Sequence, residues 1–311
     1  YRHAQLLYSA PRLEKLIAGA TDLPRFPVHP KARIDVPTNA WLINFCVDAD
    51  EYSRAMTFLK EFLTKTCMPA FNHSDGIINS RRDNVSTLLQ GIHGLTAPKC
   101  VRFHATDPAV FEKVFRANEF TYPVLIRPTA SQSGSNLVRV ASEDEWDKVH
   151  TIPWGGAHLY ITQFVDFKNV AGENLKLRVV CAGDKIYVRH VLIGQDWLIH
   201  AMDRTDEIVD REFLFRQELL ENPLFLAMVK EIKARVGLDF FGIDLGWMGK
   251  DQFVLFEANA AMSILSTAHM PIYRRAENLQ VLKNIEEGVV SAIRAVQFRA
   301  SKATRKRQLR T

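Results

Sequence analysis

The sequence predicts a mixed protein of the α+β or α/β class, on three observations. An apolar run of strand length at Ala40–Val47 leads directly into apolar residues spaced as on one helix face. From Pro98 onward the texture changes to short alternating strands separated by turn residues. Two capped or amphipathic helical stretches interrupt and close that second part.

Residues 1–39 hold Pro11, Pro24, Pro27, Pro30 and Pro37 and read as an irregular lead-in, with one short helix around Arg12–Ala18. After the first strand, Tyr52, Met56, Leu59 and Leu63 recur at four, three and four residues and predict a helix. Asp83–Gln90 predicts a second short helix, ended by Gly91 and Gly94. Strands are expected at Tyr122–Arg127, Leu137–Val140, His158–Val165, Lys176–Cys181, Lys185–Ile193, Phe240–Trp247 and Gln252–Phe256. Between them, Asn222 caps a helix with Pro223 in its first turn. Phe225, Met228, Val229, Ile232 and Val236 line its apolar face, and Gly237 stops it. Residues 276–298 form a closing amphipathic helix, and Asp203, Asp206, Glu207 and Asp210 read as a solvated loop or helix start.

The composition narrows the function classes. At 311 residues the chain has room for about two domains. Its 47% hydrophobic and 24% charged content is ordinary globular usage. No apolar run reaches the ~20 residues that cross a bilayer. The four cysteines, Cys46, Cys67, Cys100 and Cys181, include no CxxC pair, which disfavours a disulfide framework and points to a reducing cytoplasm. The net charge of +5 is local. Residues 299–311 carry six basic residues and no acid; without them 34 basic face 35 acidic residues, a body charge of −1. The body is therefore no nucleic-acid platform, and the tail reads as a solvated run that leaves such a partner open. A chain starting at Tyr1 reads as a trimmed protein or one module of a longer one.

Chemistry concentrates in four segments. Phe240–Trp247 and Gln252–Asn259 read as a hairpin with a four-residue turn, in which Trp247 faces Gln252 and Asp244 faces Leu255. Asp244, Glu257 and Asn259 then share a face and offer hard oxygen ligands suited to Mg²⁺. Alternatively they are polar residues on a solvated face, though carboxylates inside strands this apolar need a partner. The stretch Arg127-Pro128-Thr-Ala-Ser131-Gln-Ser133-Gly134-Ser135 is a strand ending in a cation and a loop of small hydroxyl residues. It is either a phosphate flap or a plain hairpin loop. Tyr160–Asp166 runs a strand into a polar turn, either a hinge for a purine edge or a buried strand end. Lys176 and Arg178 share one strand face across a turn from Arg189 and His190, as an anion clamp or as ordinary residues of a half-exposed sheet. His93, His190, His200 and His269 are too scattered for a zinc site, and the serines lack a GxSxG elbow.

In this order, over roughly residues 40–265, the segments resemble the ATP-grasp superfamily, which includes D-alanine–D-alanine ligase and glutathione synthetase. Residues 176–200 also look like ATP-grasp modules attached to tetratricopeptide-repeat proteins, which would fit one module of a longer chain. The resemblance implies a lead-in at 1–39, a small N-terminal α/β domain at 40–97, and two α+β subdomains at 98–165 and 166–298 sandwiching the nucleotide, with a basic tail at 299–311. It implies ATP with two Mg²⁺ ions, or Mn²⁺, held by Asp244, Glu257 and Asn259. Arg102, Arg127, Lys176 and the loop Ser131, Ser133, Gly134 and Ser135 would meet phosphates. Gln163, Phe164 and Val165 would meet adenine, Asp166 the ribose, and Arg178 the reacting group.

The activity so implied is a ligase joining a small-molecule or peptide carboxylate to an amine through an acyl phosphate. A kinase of the same fold and a non-catalytic scaffold are the alternatives. Three departures stand out: Arg127 where the family has Lys, Gln163 where it commonly has Glu, and Ala260-Ala-Met-Ser263 in place of a Pro-Gly turn.

Overall fold

The computed structural model describes residues 40–44, 46–129, 131, 134–199, 204–268 and 270–308, with side chains as far as residue 302. The expected lead-in and its helix, together with Gln132, Ser133, His200, Asp203 and His269, lie outside the described residues.

The first strand is much shorter than its apolar run. Only β1, Leu42–Ile43, pairs, in parallel with β2, Ala70–Phe71. Between them α1, Ser53–Thr66, buries Met56, Leu59 and Leu63 as their spacing predicts. Two short helices follow, α2 at Ser74–Asn79 and α3 at Arg82–Leu88. Asn72 fixes this region to the rest of the chain. Its amide Nδ2 donates to Phe240 O (2.8 Å), while its Oδ1 accepts from Asp239 N and Phe240 N (2.9 Å each).

Two antiparallel hairpin systems carry the cleft. The first sheet has the order β4-β7-β5-β6, from Cys100–His104, His158–Gln163, Val124–Pro128 and Val138–Val140. Helix α4, Ala109–Ala117, and a 3-10 segment at Glu143–Thr151 accompany it. Alternation sorts its side chains. Phe103, Val124, Ile126, Leu159 and Ile161 join Phe111 and Val149 in one core, leaving Cys100, Leu125, Arg127 and Thr162 on the opposite face.

The second sheet has the order β3-β11-β10-β8-β9: Leu95–Thr96, Gln252–Asn259, Phe240–Gly249, Asn174–Ala182 and Lys185–Gly194. Leu177, Val179, Cys181, Phe241, Ile243 and Leu245 face a core completed by α6, Pro223–Val236, and by residues from Val47 to Ala97. On the other face, Val180, Ala182 and Phe240 pack against Ile285, Val289, Ile293 and Val296 of α7, Arg275–Gln308. Further along that same face, Lys176, Arg178, Asp244 and Gly246 look into the cleft. Helix α6 is built as expected. Asn222 Oδ1 accepts from Leu224 N (2.9 Å) and Phe225 N (3.2 Å), Pro223 fills the first position, and Gly237 closes it at φ +75°.

Three expectations change and one open reading is decided. The segment 40–97, expected as a domain of its own, shares its core with the five-stranded sheet. The acidic stretch after Asp203, read as a loop or a helix start, opens α5, Asp206–Glu221, capped by Thr205. The closing helix, expected over 276–298, runs on as α7 to Gln308, into the basic tail. The hairpin register also shifts: Trp247 faces Phe253, and an irregularity at Asp244/Leu245 places Asp244 directly opposite Glu257 rather than Leu255. One extra residue, Phe256, is accommodated there, as in a β-bulge.

Candidate active site

The register just described aligns four functional side chains in one row across four strands. His190 on β9 faces Arg178 on β8, Arg178 faces Asp244 on β10, and Asp244 faces Glu257 on β11. Asp244 is 1% exposed and fully engaged. Arg178 binds it in a fork, Nε to Oδ1 at 2.7 Å and Nη2 to Oδ2 at 2.8 Å, and Lys176 Nζ lies 3.0 Å from Oδ2. Desolvation opposes the Asp244 charge, but these cations outweigh it and hold its carboxyl below the ordinary range. Glu257 pairs with Arg82 of α3 and accepts from Asn259 Nδ2 at 3.2 Å. Desolvation also opposes the Arg82 charge, and Glu257 more than offsets it. His190 is held well below its usual pKa by desolvation and by the charges of Arg178 and Arg189.

The four-stranded sheet faces this row across a cavity of about 640 Å³. From that side come Arg127, Cys100, Thr162 and Leu125. Arg127 Nε donates to Ser131 Oγ at 3.0 Å, its Nη2 to Ser131 O, and Ser131 Oγ donates to Pro128 O at 2.8 Å. Arg127 is pushed down to about 10 by desolvation and by the charge of Arg82. Gly134 packs against Leu198. A Cβ on Gly134, which has φ +71°, would come 3.2 Å from Leu198 Cδ1.

At the hinge end the cavity becomes apolar, lined by Phe164, Phe167, Trp197 and Phe256. Phe164 meets Trp197 edge-on at 5.8 Å and Phe167 meets Phe256 at 5.0 Å. Gly246 makes room for this layer. A Cβ there would stand 2.6 Å from Phe256 Cζ and 2.8 Å from Phe167 Cδ2.

Of the expected site residues, Arg127, Gly134, Gln163, Phe164, Val165, Lys176, Arg178, Asp244 and Glu257 all line this cavity. Arg102, Ser131, Ser135, Asp166 and Asn259 stand outside its lining, and Ser133 lies outside the described residues. Arg102 shares a face with Arg127 across Tyr160, but its Nε lies 3.3 Å from Asp50 Oδ1. Asp166 accepts from Lys168 N at 3.1 Å. Gln163 does not present its amide to a purine. Its Oε1 accepts from Thr121 N (3.1 Å), and its Nε2 donates to Thr121 O (2.9 Å) and Pro123 O (3.1 Å). Phe164 N–H donates to Pro123 O at 3.2 Å.

Sequence reading missed Arg82, Glu212, Arg216 and the ring layer. Glu212 and Arg216 lie four apart on α5, a spacing that would have put both on one face had the helix been foreseen.

Two α+β layers thus face each other across a polar cleft that ends in an aromatic slot. No family model matches the sequence, and no curated protein matches it. Solved structures do. VanG D-Ala:D-Ser ligase from Enterococcus faecalis superposes with a TM-score of 0.51 at 14% identity, over 79% of this chain and 70% of the other. D-alanine–D-alanine ligase from Bacillus anthracis reaches 0.47 at 12% identity, over 92% and 85%. The ATP-grasp ligase PsnB, solved with a phosphomimetic precursor variant, Mg and ADP, reaches 0.42 at 14%, over 78% and 69%. The chain has the ATP-grasp fold. Among the described residues, no helix is long and apolar enough to cross a membrane.

Proposed function

We propose that the protein is an ATP- and Mg²⁺-dependent ligase that joins a carboxylate to an amine through an acyl phosphate. The observation that carries this reading is the charged row. Asp244 and Glu257 face each other across one hairpin, and Lys176, Arg178, Arg82 and Arg127 surround them in a single cavity. The donor chemistry fits Mg²⁺: a carboxylate held in its anionic form beside a second carboxylate and, two residues further on, an amide oxygen that accepts from Ala261 N at 2.9 Å. When bound, the metal would supply charge neutralisation to the transferring phosphoryl group.

In this structure the two carboxylates are instead satisfied by Arg178, Lys176 and Arg82. These cations are placed to turn to phosphate oxygens as the carboxylates engage metal, so no charge is left unpaired in either state. The guanidinium forks of Arg178 and Arg127 match the planar geometry of carboxylate and phosphate oxygens. Phe164, Phe167, Trp197 and Phe256 would hold the base by stacking and apolar contact. The segments bearing Gly134 and Leu198 would exclude the water that hydrolyses an acyl phosphate.

The test is calorimetric binding of a non-hydrolysable ATP analogue with and without Mg²⁺, in wild type and in a Glu257→Ala, Asn259→Ala variant. Metal-dependent binding lost in the variant supports the site. Hydroxylamine then intercepts an acyl phosphate as a hydroxamate, and a stable phosphorylated product in its place would point to a kinase. A folded wild type that binds no analogue would refute both.

A further inference from the structure

Beyond the charged row the cavity continues between β9, α5 and the chain following Asn259, and its character changes there. Arg189 and Arg216 are 7% and 6% exposed, and both line the cavity. Neither has a carboxylate within ion-pair distance among the described residues. Arg189 donates from Nε to Ile264 O (3.1 Å) and from Nη2 to Ser266 O (3.0 Å), both neutral carbonyls. Arg216 donates from Nη1 to Asn278 Oδ1 (3.1 Å) and lies 4.8 Å over the ring of Phe213. The buried acid of this region, Glu212, is already committed. Its Oε2 accepts from Arg204 (2.9 Å) and its Oε1 from Ile193 N (3.1 Å). Arg274 at the rim is answered by Asp210 and Glu277.

A guanidinium buried without an anion is costly, and it persists where a ligand completes it. Among the described residues Arg189 has only cations around it, while Arg216 feels Glu277 and Glu212 from beyond ion-pair distance; fixed by carbonyls, an amide and a ring, the two form a built receptor for negative charge. It lies next to the charged row: Arg189 directly precedes His190, which faces Arg178 across β8 and β9. Arg189 is pushed down to about 10 by desolvation, then by the charges of Arg178, Arg216 and Arg204.

We infer that the carboxylate substrate is a compact dicarboxylate, its reacting group lying at the Asp244–Arg178 end and its second carboxylate held by Arg189 and Arg216. This rests on the ligase reading only for what happens at the first carboxylate. The second site stands on its own geometry. It selects for charge at a fixed reach, since a neutral or singly charged acid would leave both guanidiniums unanswered.

The experiment uses glutarate, its monomethyl ester, butyrate and inorganic phosphate as probes. Binding is measured by calorimetry with wild type, Arg216→Gln and Arg189→Lys, each checked for folding by circular dichroism. Hydroxamate formation with Mg²⁺ATP and hydroxylamine is followed in parallel. Glutarate should bind wild type at least about tenfold more tightly than butyrate or the monoester, and Arg216→Gln should remove about tenfold to a hundredfold of that affinity. Arg189→Lys keeps the charge but loses the fork, and should weaken glutarate while leaving butyrate unchanged. Equal binding or equal hydroxamate yield from glutarate and butyrate would overturn the inference while leaving the ligase reading intact. Phosphate binding more tightly than glutarate at this site would overturn it in favour of a phosphorylated substrate. Glutarate binding that depends on Arg216, with no hydroxamate formed, would uphold the receptor and refute the ligase reading.

Discussion

Replacing Arg178 by methionine isolates the interaction at the centre of the charged row. The change removes two charge-assisted hydrogen bonds, 2.7 and 2.8 Å long, from a carboxylate that is 1% exposed. Breaking a buried ion pair from one side costs about 3–5 kcal/mol, because the remaining charge is left uncompensated. Here Lys176 Nζ stays 3.0 Å from the same carboxylate, which brings the expected loss to the lower end, about 3 kcal/mol. Urea unfolding of wild type, Arg178→Met, Asp244→Asn and the double variant forms a thermodynamic cycle with an expected coupling of about 2–3 kcal/mol. The pH dependence has a definite sign. The folded-state pKa of Asp244 lies below its unfolded value near 3.8, so its contribution is present above that pH and is lost as pH falls through the folded value. The wild-type and Arg178→Met stabilities should therefore converge on acidification. A coupling below about 0.5 kcal/mol, or parallel acid limbs, would refute the account of Asp244 as a carboxylate held ionised by Arg178.

Three further outcomes follow from the same geometry. Gly246→Ala should destabilise the protein by about 1–3 kcal/mol and weaken nucleotide binding, since the new methyl displaces Phe167 and Phe256; urea midpoints and analogue titration read both effects. Arg82→Gln should lower stability by about 2–3 kcal/mol without ligand, because it strips the half-buried Glu257 of its cation, and added Mg²⁺ should recover part of the loss in a thermal melt. Cysteine labelling at pH 8 should begin at exposed Cys67, whereas Cys100, half-buried in the cavity wall, reacts slowly and buried Cys181 only on unfolding. Burial raises their thiols to about 11 and about 12, so neither supplies much thiolate in the folded state.

The hairpins and α6 were legible in the sequence because alternation, turn residues and caps are local signals, and each is decided within ten residues. Register was not legible. The irregularity beside Asp244 depends on how Phe256 packs over Gly246, and a pattern of period two carries no mark of an inserted residue. Beyond its acidic start, helix α5 was not legible because its buried positions, Val209, Glu212, Arg216 and Leu219, include two charges that a hydrophobic pattern counts as surface. Arg82 sits 175 residues before the glutamate it binds, so no spacing rule could join them. Asp244, Glu257, Lys176, Arg178 and Arg127 were found as chemistry-bearing residues. Their assembly into one cavity with Arg189 and Arg216 is a property of the closed sheets.

The core that joins residues 47–97 to the five-stranded sheet bears on how the chain is made. Its first helices complete their core only against β8, β10, β11 and α6, and β3 finds its partner only when β11 leaves the ribosome. The four-stranded sheet, whose strand pairings and apolar core all fall between residues 100 and 163, can close long before that. Synthesis should therefore produce an early-folded middle flanked by an exposed, waiting beginning. Ribosome-bound chains halted near residue 200 should be cut by protease within 40–97 and protected within 100–163.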